Sequence, residues 1–288
     1  HWGNVVWARP LIGLLDPQHK YNQYYGRKQV ASLYGQEKYD LSERWSLRAT
    51  AQLRYQRYDM EQTGMGAFET YDYAYDWLFF SPRFGITYQP RESLSLHALI
   101  GVSSRTPAEP NVYDAENPNA IPSLEIEDTR VSGGDTSYVF GDPTAKSERV
   151  YDFELGAEYR RTGYRFGANA FWMEFRDEII PAGQVNPNTG YPMMVNADRS
   201  VHAGLELTGA AKPHKYFTVE ANYSYNYNRV KDHVGKVDVY PGSGTPYQID
   251  YDYSDKVIPA FPEHLANLII GFDHSRVGAA LKLQYAGK

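Results

Sequence analysis

The residues best equipped for metal or proton chemistry are eight histidines, and they are dispersed along the chain at His1, His19, His97, His202, His214, His233, His264 and His274. None falls in a His-x-x-x-His or His-Glu-x-x-His pattern, which zinc hydrolases need to bring two imidazoles onto one face of a helix. There is no cysteine, so thiolate metal sites, cysteine nucleophiles and disulfides are excluded. Acidic clusters occur at Glu125-Ile126-Glu127-Asp128 and across Asp250–Asp255, and oxygen-rich loops can bind calcium. Neither has the ligand spacing of a calcium loop, and both are expected to be solvated, ligand-facing surface. Ser103-Ser104 beside Arg105 imitates a reactive serine, but no histidine stands near it in sequence, and a Gly-x-Ser-x-Gly elbow and a phosphate-binding Gly-x-x-x-x-Gly-Lys loop are both missing. Glu154 and Glu158 share one face of a strand and could do acid–base work, although a polar lining calls for the same residues. The expectation is no enzyme, no cofactor and no metal.

The elements that carry these residues follow a period of two. Trp45, Leu47, Ala49, Ala51, Leu53 and Tyr55 alternate with Ser46, Arg48, Thr50, Gln52, Arg54 and Gln56. Phe217, Val219, Ala221, Tyr223, Tyr225 and Tyr227 alternate with Thr218, Glu220, Asn222, Ser224, Asn226 and Asn228. Side chains on a strand point to opposite sides in turn, so each segment has one apolar and one polar face. Ten strands are expected, at about 26–38, 44–60, 78–88, 94–104, 147–160, 164–176, 199–211, 216–230, 263–272 and 277–288. Short polar turns alternate with long connections at about 61–77, 105–146, 177–198 and 231–262, which puts every long connection at one end of the sheet.

Strands of about 10–17 residues, at ~3.3 Å per residue, are long enough when tilted to cross the ~25 Å apolar band of an outer-membrane barrel. Lipid cannot hydrogen-bond the backbone, so strands survive there only in a closed barrel. The mean hydropathy of -0.58 fits a wall with one wet face and excludes a membrane-spanning helix. The 26 Tyr, 12 Phe and 5 Trp then gain a place at the two membrane boundaries. A formal charge of -6 with scattered cations argues against nucleic acid as a partner.

The most distinctive segment is Gly101-Val102-Ser103-Ser104-Arg105-Thr106-Pro107, where a strand ends and the longest connection begins. This Gly-x-Ser-x-Arg-x-Pro run resembles the β-barrel of TonB-dependent outer-membrane receptors. Further stretches match the family's barrel phrases in order: Phe80–Tyr88, Lys146–Gly156, Ala170–Ile180, Asn196-Ala197-Asp198, Gly204–Leu207 and Pro262–Asn267.

The resemblance implies an antiparallel up-and-down barrel of about 22 strands, an N-terminal plug, and energy drawn from an inner-membrane complex through TonB. No plug and no terminal aromatic strand is found in the sequence. Residues 1–288 are therefore expected to be a partial barrel domain, with 1–25 the remnant of an extracellular loop and TonB engaged through a plug outside it. The function expected is part of an outer-membrane importer of a scarce nutrient such as an iron–siderophore complex, with membrane lipid around it. Arg105, Tyr113 and Tyr138 are the loop residues expected near the ligand. The competing readings are a passive porin, a barrel lipase using His97 or His202, and a soluble β-sandwich that binds polysaccharide through its aromatics.

Overall fold

A computed structural model describes residues 6–7, 20–22, 24–63, 70–107, 112, 124–132, 135–143, 145–185, 192–239, 242, 245, 247–259 and 261–287. In chain order the strands are β1 (Val6–Trp7), β2 (Lys20–Asn22), β3 (Tyr24–Asp40), β4 (Trp45–Thr63), β5 (Thr70–Arg91), β6 (Leu94–Arg105), β7 (Leu124–Ser132) and β8 (Asp135–Pro143). They continue with β9 (Glu148–Arg161), β10 (Tyr164–Val185), β11 (Pro192–His214), β12 (Phe217–Asp232), β13 (Val234–Val239), β14 (Tyr247–Asp252), β15 (His264–His274) and β16 (Val277–Gly287).

Ten of these form one antiparallel sheet in the order β16-β15-β12-β11-β10-β9-β6-β5-β4-β3, an up-and-down meander whose edges are β3 and β16. All ten expected strands are present. Three two-stranded ribbons, β1–β2, β7–β8 and β13–β14, stand apart from that sheet. The short turns have local causes. Ser42 Oγ accepts the backbone N–H of Arg44 and of Trp45 at 3.2 and 3.3 Å, closing the β3–β4 turn. Gly163 takes φ 80 between β9 and β10, a conformation that a side chain would strain.

Two expected long connections are shorter than the sequence suggests. β4 and β5 stay paired out to Thr63↔Thr70, and β10 and β11 out to Val185↔Pro192. Backbone pairing needs no apolar alternation, so the strands continue where the hydrophobic period has already ended. The other two connections carry structure that the sequence reading treats as loop: β7–β8 lies within 105–146 and β13–β14 within 231–262.

The sheet is a single layer, and that decides its solvent. Leu33, Leu78, Phe80, Leu155, Phe166 and Leu281 are all more than half exposed, whereas the buried apolar residues are few and gather at one end. Cross-strand pairs such as Leu53↔Phe80, Ile100↔Phe153, Ala168↔Leu207 and Leu268↔Leu283 join these side chains into one continuous apolar face. Water-soluble monomers rarely expose apolar patches beyond a few hundred Å². The face requires an apolar cover.

Candidate functional site

The opposite face is polar, and its side chains bond across strands. Asn267 Nδ2 donates to Asn222 Oδ1 and Gln284 Nε2 donates to Asn267 Oδ1, both at 2.9 Å, making a ladder over β12, β15 and β16. Asn169 Nδ2 donates to Glu154 Oε2 at 3.3 Å. His97 lies over Gly156, where the ring occupies the space a Cβ would need. Arg54 spans from the Ser104 carbonyl, 2.7 Å from its Nη2, to the face of Phe79, 5.2 Å away. Among the described residues, three buried atoms on this face have no hydrogen-bond partner: Arg54 Nε, Asp152 Oδ1 and Asn169 Oδ1. A buried polar atom left unpaired costs about 1–3 kcal/mol, so this wall calls for polar groups to pack against it.

At the long-connection end of the same wall, polar groups become buried. Arg105 closes β6 and pairs across to Glu148 at the start of β9, with Nη2 2.8 Å from Oε2. The Glu148 side chain is 9% exposed and that of Arg105 59%, so the arginine remains open to solvent or a ligand. Glu148 Oε2 also accepts the Ile179 backbone N–H at 2.9 Å, which ties β9 to β10 past the end of their ladder.

Next to it, Glu178 accepts from Ser200 Oγ and lies 2.9 Å from His202 Nε2, with all three residues buried. The local backbone explains how Glu178 gets there. Phe175 also touches His202, with ring centroids 4.9 Å apart, yet residues three apart on a regular strand face opposite sides. Asp177, between them, takes φ 52 and resets the alternation. Asn196 holds that kink by donating from Nδ2 to the Asp177 carbonyl at 2.7 Å and the Lys146 carbonyl at 3.0 Å, while its Oδ1 accepts Lys146 N–H at 2.9 Å.

The long connection after β14 closes over this end. Val230 N–H donates to Lys256 O at 3.0 Å and Ile258 N–H to Asn228 O at 3.2 Å, so the segment docks along β12 beyond the reach of β15. Ile258 packs against Ile180, Ala197 and Val230, and Phe261 meets His202 edge-on at 5.3 Å. Asp252, at the end of β14, is held below the usual carboxylate range, first by the Ser254 hydroxyl and then by its N–H.

Of the residues expected near a ligand, Arg105 stands on the polar wall beside this cluster. Tyr113 lies outside the described residues. Tyr138 pairs with Thr129 in the β7–β8 ribbon, and its side chain lies outside the described residues. Glu154 and Glu158 are wall residues bonded to Asn169 and Arg160. Glu148, Glu178, Ser200 and Asn228 escaped sequence reasoning as site residues, because what marks them is burial produced by cross-strand register. The sequence marks His202 only as a lipase candidate. Ser200 and His202 do meet, but through Glu178, so the histidine does not take the serine proton as a hydrolase requires. Among the described residues no group of three His, Asp or Glu could hold a metal ion.

A single-layer meander with an apolar outer face, a polar inner face and its long connections at one end defines a barrel-wall protein. The particular family follows from the sequence: residues 3–288 match the model of the TonB dependent receptor-like β-barrel, and the chain belongs to that family. The siderophore receptor PiuA from Acinetobacter baumannii is similar at TM-score 0.60 and 16% identity, covering 86% of this chain and 32% of its own. The ferric-catecholate import receptor Fiu from E. coli K12 is similar at TM-score 0.60 and 15% identity, covering 95% of this chain and 36% of its own. The copper transporter OprC gives TM-score 0.59 and 13% identity, covering 94% and 36%. Among curated proteins there is no sequence match. The chain thus spans about a third of the length of each of these three solved structures. TonB-dependent receptors are transporters and not enzymes, in line with the non-enzymatic reading of the sequence.

Proposed function

We propose that residues 1–288 are a partial barrel domain, about ten of ~22 strands, in an outer-membrane active transporter of a Gram-negative-type bacterium that imports a scarce nutrient such as an iron–siderophore complex. The carrying observation is the contrast between the two faces of one layer. The outer face exposes Leu155 and Phe80, which lipid would cover, while the inner face holds Arg54 Nε, Asp152 Oδ1 and Asn169 Oδ1 without partners. A polar plug and a passing polar ligand are what such an inner face would contact. The edges β3 and β16 would pair with the remaining strands, which removes two exposed edges from lipid.

In this reading the short turns face the periplasm and the long connections face outward. Residues 1–25 belong to an outer loop, and TonB couples through a plug elsewhere in the protein. Arg105, with its exposed side chain, is the leading ligand contact on the wall, and Tyr113 and Tyr138 are proposed as loop contacts. Similar proteins named for siderophores, ferric catecholate and copper support a metal or metal-chelate cargo.

The test is uptake of a radiolabelled ferric siderophore panel by iron-starved cells carrying the receptor, with and without TonB. Uptake of one member that is saturable and lost without TonB is expected. Uptake proportional to concentration and indifferent to TonB would make the protein a passive porin instead.

A further inference from the structure

At one place in the sheet two neighbouring strands run on side by side without pairing. β5 and β6 pair from Arg91↔Leu94 to Arg83↔Gly101 and no further. Yet β5 stays on β4 out to Thr70, and β6 stays on β9 out to Arg105↔Glu148. Among the described residues, every other ladder of this sheet reaches, at the long-connection end, to within one residue of the end of one of its strands.

A proline supplies the cause. Pro82 is the first residue of β5 outward of the last pair, and it has no N–H to give. The β4–β5 ladder passes it unbroken at Ala51↔Pro82, so the donor is missing on the β6 side. Proline within sheets is confined to edges and bulges, and here it makes a local edge in the middle of the wall.

Two side chains of β4 reach past β5 to hold β6 instead. Arg54 Nη2 donates to the Ser104 carbonyl at 2.7 Å, and Gln56 Nε2 donates to Thr106 Oγ1 at 3.0 Å. The result is a seam, closed below at Arg83↔Gly101 and open at the outer end, where β6 gives way to the longest connection.

The two faces of the seam differ in chemistry. Outward, Pro82 and Val102 line a groove of about 760 Å³ that runs from Gly35 to Tyr151 between the rings of Phe84 and Phe153. It crosses β3, β4, β5, β6 and β9. Four interstrand steps of ~4.8 Å make about 19 Å, the length of a long fatty-acyl chain. Inward stand two guanidiniums. Arg54 keeps its Nε without a partner, and Arg83 lies across Gly101, where a Cβ would stand 3.4 Å from its Nε. Neither arginine makes an ion pair among the described residues. A phospholipid of the membrane has an acyl chain for the groove but no head on the luminal side. Unpaired cations inside and an apolar trough outside, joined by the seam, fit one molecule that has both an anionic head and a tail.

We propose that the seam seats an amphiphilic cargo: an anionic metal chelate whose head lies on the lumen wall at Arg54 and Arg83, and whose single acyl chain passes through the seam into the groove. This rests on the import reading and names the class of cargo. Such a molecule needs no threading, because the seam is open at the end where the cargo arrives.

The test uses the whole receptor that contains this chain, in outer-membrane vesicles. Three ferric chelates serve as probes (a tricatecholate, a trihydroxamate and a citrate type), each with and without one tetradecanoyl chain ending in a diazirine. On irradiation, one acylated chelate is expected to label the groove segments of β3 to β6, and an excess of its unacylated form should abolish the label. Ala51→Trp, which fills the groove floor, should lose it too. The pair S81C/S103C, in a chain with no cysteine of its own, would stitch the seam shut. Oxidation of that variant should remove the label, reduction should restore it, and the unacylated chelate should bind in both states.

Label that survives excess unacylated chelate would overturn the proposal, since the tail would then be dissolved in lipid. Equal labelling by a phospholipid carrying the same diazirine chain, or labelling untouched by the disulfide, would overturn it as well. If no probe binds saturably, acylated or not, the import reading itself falls. Saturable binding without label in the groove defeats only the seam.

Discussion

Replacing Leu155 by arginine separates a wall immersed in lipid from one immersed in water. Leu155 is 64% exposed and lies on the apolar face opposite Ala98 and Ala170. It stands six residues from Arg161 at the turn, about 20 Å along the strand, or roughly 15 Å along the membrane normal at a tilt of 35–45°. That is near the middle of the apolar band. An arginine at that depth costs about 2–4 kcal/mol, roughly a 30- to 700-fold loss in the folding equilibrium. A neighbouring change on the inner face, Glu154→Gln, removes a charge but keeps an oxygen that can accept the 3.3 Å bond from Asn169, and should cost at most about 1 kcal/mol. The assay is urea unfolding of the receptor in lipid vesicles, followed by tryptophan fluorescence. If Leu155→Arg left the midpoint unchanged, or raised it, the outer face would be meeting water and the membrane-wall reasoning would be refuted.

Three further outcomes are expected. Glu178→Ala strips both Ser200 and His202 of their buried partner; at about 1.5–3 kcal/mol for each bond to a charged group, the outer end should loosen, read as faster amide exchange at Val230 and Ile258 with little change in β16. Asp177→Val puts a β-branched residue at φ 52 and should cost about 1–3 kcal/mol, whereas Asp177→Gly should be tolerated, measured as the difference in unfolding midpoint. Tyr75, on the part of β5 beyond the last outward apolar residue Leu78, has its phenol pushed up first by burial and then by the negative charge of Asp142. The protonated form is thus favoured on folding, so this contribution is complete below the ordinary tyrosine range and is lost as pH rises through and above it. Tyr75→Phe should flatten that alkaline fall in stability, seen by comparing melting temperatures across alkaline pH.

The ten sheet strands were legible because each carries its own alternation, as Trp45–Tyr55 and Phe217–Tyr227 show, and because residues such as Gly163 mark the tight turns between them. Their outer extensions were not. Beyond about Tyr58 on β4 and Arg176 on β10 both faces lose the apolar period, and only backbone pairing carries the strands on to Thr63 and Val185. The ribbons β7–β8 and β13–β14 were hidden for the same reason. Within the candidate site, Arg105 was readable from the motif that ends β6. Its partner Glu148 lies 43 positions away and is brought opposite only by the β6–β9 register.

By itself, then, the sequence determined the class of element, the two-faced character of the wall, its alternating short and long connections, and the family resemblance. Each of these depends on side chains within a few residues of one another. Tertiary structure alone decided what stands beside what. It brought Glu178 to Ser200 and His202 through one left-handed aspartate, and left Arg54, Asp152 and Asn169 with unpaired atoms on the inner face. A period of two tells which face a residue takes, but not its height against the next strand; that height is set by pairing along the whole ladder.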